Sequence, residues 1–160
     1  MKVSDILRVK GGALFTTTPE TTLADAAKVM TENDIGSLVV MSFGLVVGML
    51  TFREVIRATV NNGGAFGTTT VYRAMDSGPL ICTMETEMDD VRRMMLGNHA
   101  RYMPVMDKGM LMGVISFYDV AKTVVDRQNF ENKLLKAYIR DWPENVGAGK
   151  AQVGTDGISD

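Results

Sequence analysis

Two short stretches of the chain place a carboxylate three residues after a hydroxyl side chain. The first pairs Thr51 with Glu54 and the second pairs Ser116 with Asp119, each after an apolar run that contains a glycine. A hydroxyl at a helix start lies beside exposed backbone N–H groups and the positive end of the helix dipole, which favours an anion such as phosphate. The carboxylate could accept hydrogen bonds from both hydroxyls of a ribose. The pattern is therefore compatible with half of a nucleotide site.

The same spacing also has a purely structural interpretation. Thr-x-x-Glu and Ser-x-x-Asp are capping boxes, in which the two side chains satisfy the free N–H groups of their own helix. The spacing alone favours the cap over ligand contact, and both interpretations stay open.

The two stretches belong to two copies of one longer pattern, offset by 65 residues. Twelve positions are identical without a gap between Thr18 and Val55 in the first copy and Thr83 and Val120 in the second. Such a repeat indicates a duplicated structural unit.

Each copy has the pattern of a strand, a helix, a β-hairpin and a second helix. The expected strands are 13–17, 38–41 and 45–50 in the first copy and 80–83, 103–106 and 110–115 in the second. A β-α-β-β-α unit has helices for only one face of its sheet, so two copies would bury their other faces against each other. The predicted fold class is α/β (α+β), with two repeats packed in pseudo-twofold symmetry.

Composition shifts along the chain predict its domain organisation. The predicted segments are repeat one at 1–62, a Gly-rich linker at 63–70, repeat two at 71–129, a C-terminal helix extension at 130–143 and a disordered tail at 144–160. The linker is glycine-rich, the extension keeps helical apolar spacing, and the polar tail has no periodicity.

Charge and cysteine content restrict the partners and the compartment. The formal net charge of -2 gives no general attraction to phosphate backbones, so nucleic acid is a poor candidate partner. The single cysteine, Cys82, fits a reducing compartment, and no apolar run is long enough to span a bilayer. We expect a cytoplasmic protein with no metal site and no membrane partner.

Two motifs resemble a known family. Residues 113–119 read Gly-Val-Ile-Ser-Phe-Tyr-Asp, and residues 48–54 read Gly-Met-Leu-Thr-Phe-Arg-Glu. A second motif, Arg-Tyr-Met-Pro-Val-Met-Asp, occupies residues 101–107. With the duplication, these motifs resemble paired CBS domains, also called a Bateman module, and in particular the short standalone CBS-pair proteins.

The resemblance implies that an adenosine ligand binds between the two repeats. The ligands implied are AMP, ADP or ATP, S-adenosylmethionine, and NAD(H). Asp119 would take the ribose hydroxyls, while Ser116, Arg101 and Tyr102 would lie toward the phosphates. The other implied positions are Thr51 and Glu54 in the first copy and Thr18, Thr21, Thr83 and Thr86 at the adenine end.

Three functions are compatible with the sequence. The favoured one is a non-enzymatic sensor that signals energy or redox state to a regulated protein, as a homodimer implied by the resemblance. The alternative is a ligand-free structural or protein-interaction module. An enzyme is the weakest hypothesis, because one histidine, one cysteine and no metal or triad pattern leave few candidate nucleophiles or bases.

Overall fold

The computed structural model describes residues 1–11 and 13–140, which fall into two compact units. The first unit is Met1–Val120, which holds the first repeat and the second repeat as far as Val120, and the second unit begins at Ala121. The expected tail at 144–160 and the end of the expected extension at 141–143 lie outside the described residues.

Helices and short strands follow one another along the chain. In the first half of the chain they are α1 (Val3–Lys10), β1 (Thr16–Thr17), α2 (Leu23–Glu32), β2 (Ser37–Ser42), β3 (Leu45–Thr51) and α3 (Phe52–Asn61). In the second half they are α4 (Val71–Ala74), β4 (Cys82–Thr83), α5 (Met88–Asn98), β5 (Tyr102–Asp107), β6 (Met110–Ser116) and α6 (Phe117–Arg140).

The two sheets have the same topology. Each has three strands, ordered β1-β2-β3 and β4-β5-β6, with a parallel first pair and an antiparallel second pair. Both hairpins turn through two residues of positive φ, Phe43-Gly44 and Lys108-Gly109, as a two-residue type I′ turn requires. The register of both hairpins shifts at the same point, after Val40 and after Val105. The predicted fold class, with its duplicated unit, is therefore confirmed.

Each core is completed by the short helix that precedes the other repeat in the sequence. Val3 of α1 is fully buried in the cluster beneath the second sheet, and its N–H donates to the Thr86 carbonyl at 2.9 Å. Val71 of α4 is fully buried in the cluster beneath the first sheet, and its N–H donates to the Thr21 carbonyl at 2.8 Å. The second core therefore includes Val3 of the predicted segment 1–62, and the first core includes Val71 of the predicted segment 71–129.

The first strand of each repeat is shorter than expected. Only Thr16–Thr17 and Cys82–Thr83 pair with a neighbouring strand, where the sequence predicts strands over 13–17 and 80–83. The residues before each pair instead line a cleft, described below. No helix among residues 1–11 and 13–140 combines the length and the apolar character that crossing a membrane requires.

Candidate functional site

The first junction between hairpin and helix holds a buried carboxylate. The Thr51 hydroxyl caps α3 by accepting the Arg53 N–H at 3.2 Å, and it donates to Glu54 Oε2 at 2.8 Å. Glu54 is the one buried charged residue in the described part of the chain, with 8% of its surface exposed. Hydrogen bonds stabilise a buried carboxylate, and a hydroxyl of a bound ligand could donate one to Glu54.

The second junction is a reciprocal capping box. The Ser116 N–H donates to Asp119 Oδ2 at 2.8 Å, and the Asp119 N–H donates to Ser116 Oγ at 3.1 Å. The same Asp119 oxygen accepts a hydrogen bond from Lys10 Nζ at 2.8 Å, and Lys10 also donates to the Val114 carbonyl at 2.9 Å. The structural interpretation of the spacing is thus realised here, together with an ion pair from α1.

A cleft of about 840 Å³ opens at the first junction. One wall is the start of α3, including Thr51 and Glu54, and the other wall comes from the second repeat. That second wall consists of the loop 78–80 and the segment 98–102, which follows α5. The cleft therefore lies between the two repeats, at the position that the sequence predicts for a ligand.

A second cleft of about 480 Å³ lies at the second junction. Its lining is the pseudo-symmetric equivalent: Ser116 with the start of α6 on one side, and 13–15 with 34–37 of the first repeat on the other. Lys10 also lines it, whereas Asp119 does not. The ribose role implied for Asp119 stays a prediction, and it would need Lys10 to move.

The two clefts share a wall of three aromatic rings and an arginine, namely Phe52, Arg101, Tyr102 and Phe117. The Arg101 guanidinium lies 5.3 Å from the centre of the Phe52 ring, within cation–π range. Phe52 and Tyr102 meet edge to face, with centroids 6.3 Å apart. Burial raises the pKa of the Tyr102 phenol, an effect that the Arg101 charge partly opposes, so the hydroxyl remains a donor.

Neither cleft is lined by the four threonines that the resemblance implies for the adenine end of the ligand. Thr18 and Thr21 share a hydrogen bond between their hydroxyls at 2.7 Å, and Thr83 and Thr86 share one at 3.1 Å. Both pairs close the turn between the first strand and the following helix. The ligand contact implied for them is not tested and stays a prediction.

Sequence reasoning missed Lys10, and it ranked a ligand contact of His99 below a purely structural position. Lys10 is separated from Asp119 by 109 positions, and nothing in the local pattern indicates that contact. His99 ends α5 in a left-handed conformation, with φ of 53°, and lines the first cleft. Its place after Asn98, at a predicted helix end, favours an exposed residue over a phosphate contact, and the structure exposes it.

A model of the family described as "CBS domain" matches the chain twice, at residues 3–61 and 71–126. The chain belongs to the CBS-domain family. Among curated proteins, it is 32% identical over 148 residues to the mitochondrial CBS domain-containing protein CBSX3 of Arabidopsis thaliana, covering 86% of this chain and 71% of that protein. It is 27% identical to the CBS domain-containing protein YhcV of Bacillus subtilis, covering 66% and 75%.

Solved CBS-domain structures superpose on the chain. The CBS-domain containing protein ATU1752 from Agrobacterium tumefaciens matches with a TM-score of 0.74 and 31% identity, over 77% of this chain and 98% of that one. The CBS pair of protein MJ0100, solved with 5′-methylthioadenosine and S-adenosyl-L-methionine, matches in fold at 20% identity with a TM-score of 0.71, over 79% and 98%. CBSX2, solved with AMP, matches in fold at 21% identity with a TM-score of 0.65, over 79% and 98%.

Proposed function

We propose that this CBS pair is a non-enzymatic regulatory module that binds an adenosine ligand between its two repeats and passes that occupancy to a partner protein. The observation that carries the proposal is the open first cleft, with the buried Glu54 carboxylate at the start of a helix. A carboxylate there can accept from both ribose hydroxyls, and Arg53 and Arg101 in the same lining can meet a phosphate.

Structures of the same fold support the ligand class. AMP is bound to CBSX2, and S-adenosyl-L-methionine with 5′-methylthioadenosine is bound to MJ0100. We extend this to AMP, ADP or ATP as ligands of the present chain, with NAD(H) as a dinucleotide of the same chemistry. The cytoplasmic location remains part of the proposal.

A homodimer is the second part of the proposal. Within the unit that begins at Ala121, the described part of α6 exposes a series of large apolar side chains: Phe130, Leu134, Leu135, Tyr138 and Ile139. An exposed helix with this many apolar residues is typical of a protein contact. Sedimentation or light scattering of the full chain measures the assembly, and a monomer at all concentrations would contradict it.

Thermal unfolding with and without nucleotide tests the ligand. A ligand that binds only the folded chain adds about 2.7 kcal/mol to the unfolding free energy at a hundredfold excess over Kd. We expect AMP, ADP, ATP, NADH or S-adenosylmethionine to raise the melting temperature, with adenine and ribose alone as controls. No shift with any of them would favour the ligand-free module, which the capping contacts at both junctions support.

A further inference from the structure

The carboxylate of the second junction is already occupied by the chain itself. The Lys10 ammonium lies 2.8 Å from Asp119 Oδ2, and only 11% of the Asp119 side chain is exposed. The carboxylate is therefore largely shielded from water, whereas 38% of the Lys10 side chain is exposed. Lys10 also lines the second cleft, whereas Asp119 does not.

The first junction is built without such a lysine. Met49 is the counterpart of Val114 by the offset of 65 residues, and its carbonyl accepts the Asp76 backbone N–H at 2.9 Å. The Met49 carbonyl therefore accepts a backbone N–H, whereas the equivalent Val114 carbonyl accepts the Lys10 ammonium. Among the described residues Glu54 makes no ion pair, and its hydrogen bond comes from the Thr51 hydroxyl.

The residues that follow each first helix differ in charge. His99 and Arg101 line the first cleft, whereas Asp34 and Gly36 take the equivalent positions in the second. The Tyr102 hydroxyl fills the space beside Gly36, because a Cβ built there would lie 2.0 Å from it. Arg101 lines both clefts, so the difference at this point is that a phosphate meets His99 in the first cleft and the Asp34 carboxylate in the second.

We propose that each chain binds one adenosine 5′-phosphate, in the first cleft and through Glu54, because Lys10 blocks the second cleft by holding Asp119. This rests on the proposed function. Size does not decide between the clefts, since volumes of about 840 and 480 Å³ both fall within the range of small-molecule sites. The Lys10 ion pair and the Asp34 carboxylate distinguish the second cleft from the first.

Calorimetric titration of the native chain with AMP measures the number of sites directly. We expect one AMP per chain, and two equivalent sites would overturn the inference. Glu54→Gln keeps the size of the side chain and an acceptor for Thr51, yet removes the charge that receives the ribose hydroxyls. The Kd of the Glu54→Gln variant for AMP should rise about tenfold or more. An unchanged Kd would also overturn the inference.

Replacing the lysine should open the second cleft. We expect Lys10→Met to bind a second AMP, weaker than the first because Asp34 remains, and Lys10→Gln to do the same while keeping a donor for the Val114 carbonyl. Lys28→Met is the matched control, since Lys28 pairs with Glu32 on the exposed face of α2 and lines neither cleft. It should stay at one site.

The outcomes separate the two proposals. One site in Lys10→Met and Lys10→Gln, with both variants folded by circular dichroism, would refute the role of Lys10. AMP binding that survives in Glu54→Gln would place the ligand elsewhere. No heat with AMP on the native chain, together with no thermal shift from any adenosine ligand, would instead refute the proposed function.

Discussion

At the first junction a glutamate receives a hydrogen bond from a threonine hydroxyl, whereas at the second an aspartate receives a backbone N–H and the ammonium of Lys10. Both junctions derive from one duplicated pattern, so the pattern itself does not cause the difference. The preceding segments do: α1 has eight residues and ends at Lys10, while α4 has four and is followed by a backbone bridge between Met49 and Asp76. Two similar motifs thus give one carboxylate, Glu54, that lines a cleft without an ion pair, and another, Asp119, that is paired with Lys10.

The two cores resemble each other in a further way, because each depends on a helix that precedes the other repeat. Val3 completes the second core and Val71 completes the first. Loss of either core would therefore expose apolar surface contributed by both parts of the chain. We expect the two repeats to unfold together rather than as independent domains.

Alkylation of Cys82 tests this cooperativity and has the largest expected effect. The thiol lies in the second core with 4% of the residue exposed, and burial raises its pKa to about 11. At pH 8 we expect labelling about a thousandfold slower, or more, than in the urea-unfolded chain, since it requires global opening. The opening free energy from labelling should equal the unfolding free energy from urea titration.

The raised pKa also fixes the sign of the pH dependence. Well below pH 9 the thiol is neutral in both states. As pH rises toward 11 the thiol of the unfolded chain loses its proton first, so this group's contribution to stability is lost as pH rises. Cys82→Ser serves as the unlabelled control. An opening free energy well below that of global unfolding would show that the second core opens alone.

Two glycines in equivalent strand positions give the next largest effect. A Cβ on Gly48 would lie 2.7 Å from the Asp76 backbone oxygen, whereas one on Gly113 would lie 3.0 Å from a Leu7 methyl group. The backbone bridge cannot yield as a side chain can. We expect Gly48→Ala to cost about 2–3 kcal/mol in urea unfolding.

Gly113→Ala is the matched control, at the same position of the other hairpin. Its expected cost is under about 1 kcal/mol, because the leucine can shift and alanine loses less entropy than glycine on folding. Equal costs for the two variants would show that the Asp76 bridge is no more rigid than the Leu7 contact, and would remove the proposed cause of the difference between the junctions.

The elements that the sequence predicts well are those that local rules determine. The hairpins follow from pairs of closely spaced apolar runs on either side of Gly44 and Gly109, and the helix starts follow from Thr51 and Ser116 as caps. The four-residue α4 carries too few residues for a periodic signal, and its burial depends on contacts with the first repeat. This helix is stabilised by packing against the first repeat, and such a contact cannot be read from the local sequence.

The candidate site divides in the same way. The sequence identifies Thr51, Glu54, Arg101 and Tyr102, and all four line the first cleft. It favours Asp119 over Glu54 as the ribose acceptor, but it contains no signal for Lys10, because that contact forms only when α1 packs on the opposite repeat. The choice between two similar carboxylates therefore depended on a contact across the fold.

Gly36→Ala tests the shared wall, with the smallest expected effect. A Cβ there would lie 2.0 Å from the Tyr102 hydroxyl and 2.8 Å from the ring carbon that bears it. The ring sits at the end of a side chain and can turn away, at a cost of about 1 kcal/mol in urea unfolding. Displaced toward water, the phenol loses the burial that raises its pKa, so its pKa should fall toward the ordinary value of 10.

Phenolate absorbance across a pH titration measures this change, with Tyr102→Phe identifying the signal among the four tyrosines. Gly97→Ala is the control, because a Cβ there meets nothing within 4 Å and an alanine inside α5 should stabilise the chain by about 0.5–1 kcal/mol. If Gly36→Ala left the Tyr102 titration unchanged, the tyrosine would not be held in the wall by its fit against Gly36. The comparison between the two clefts would then depend on Lys10 and Asp34.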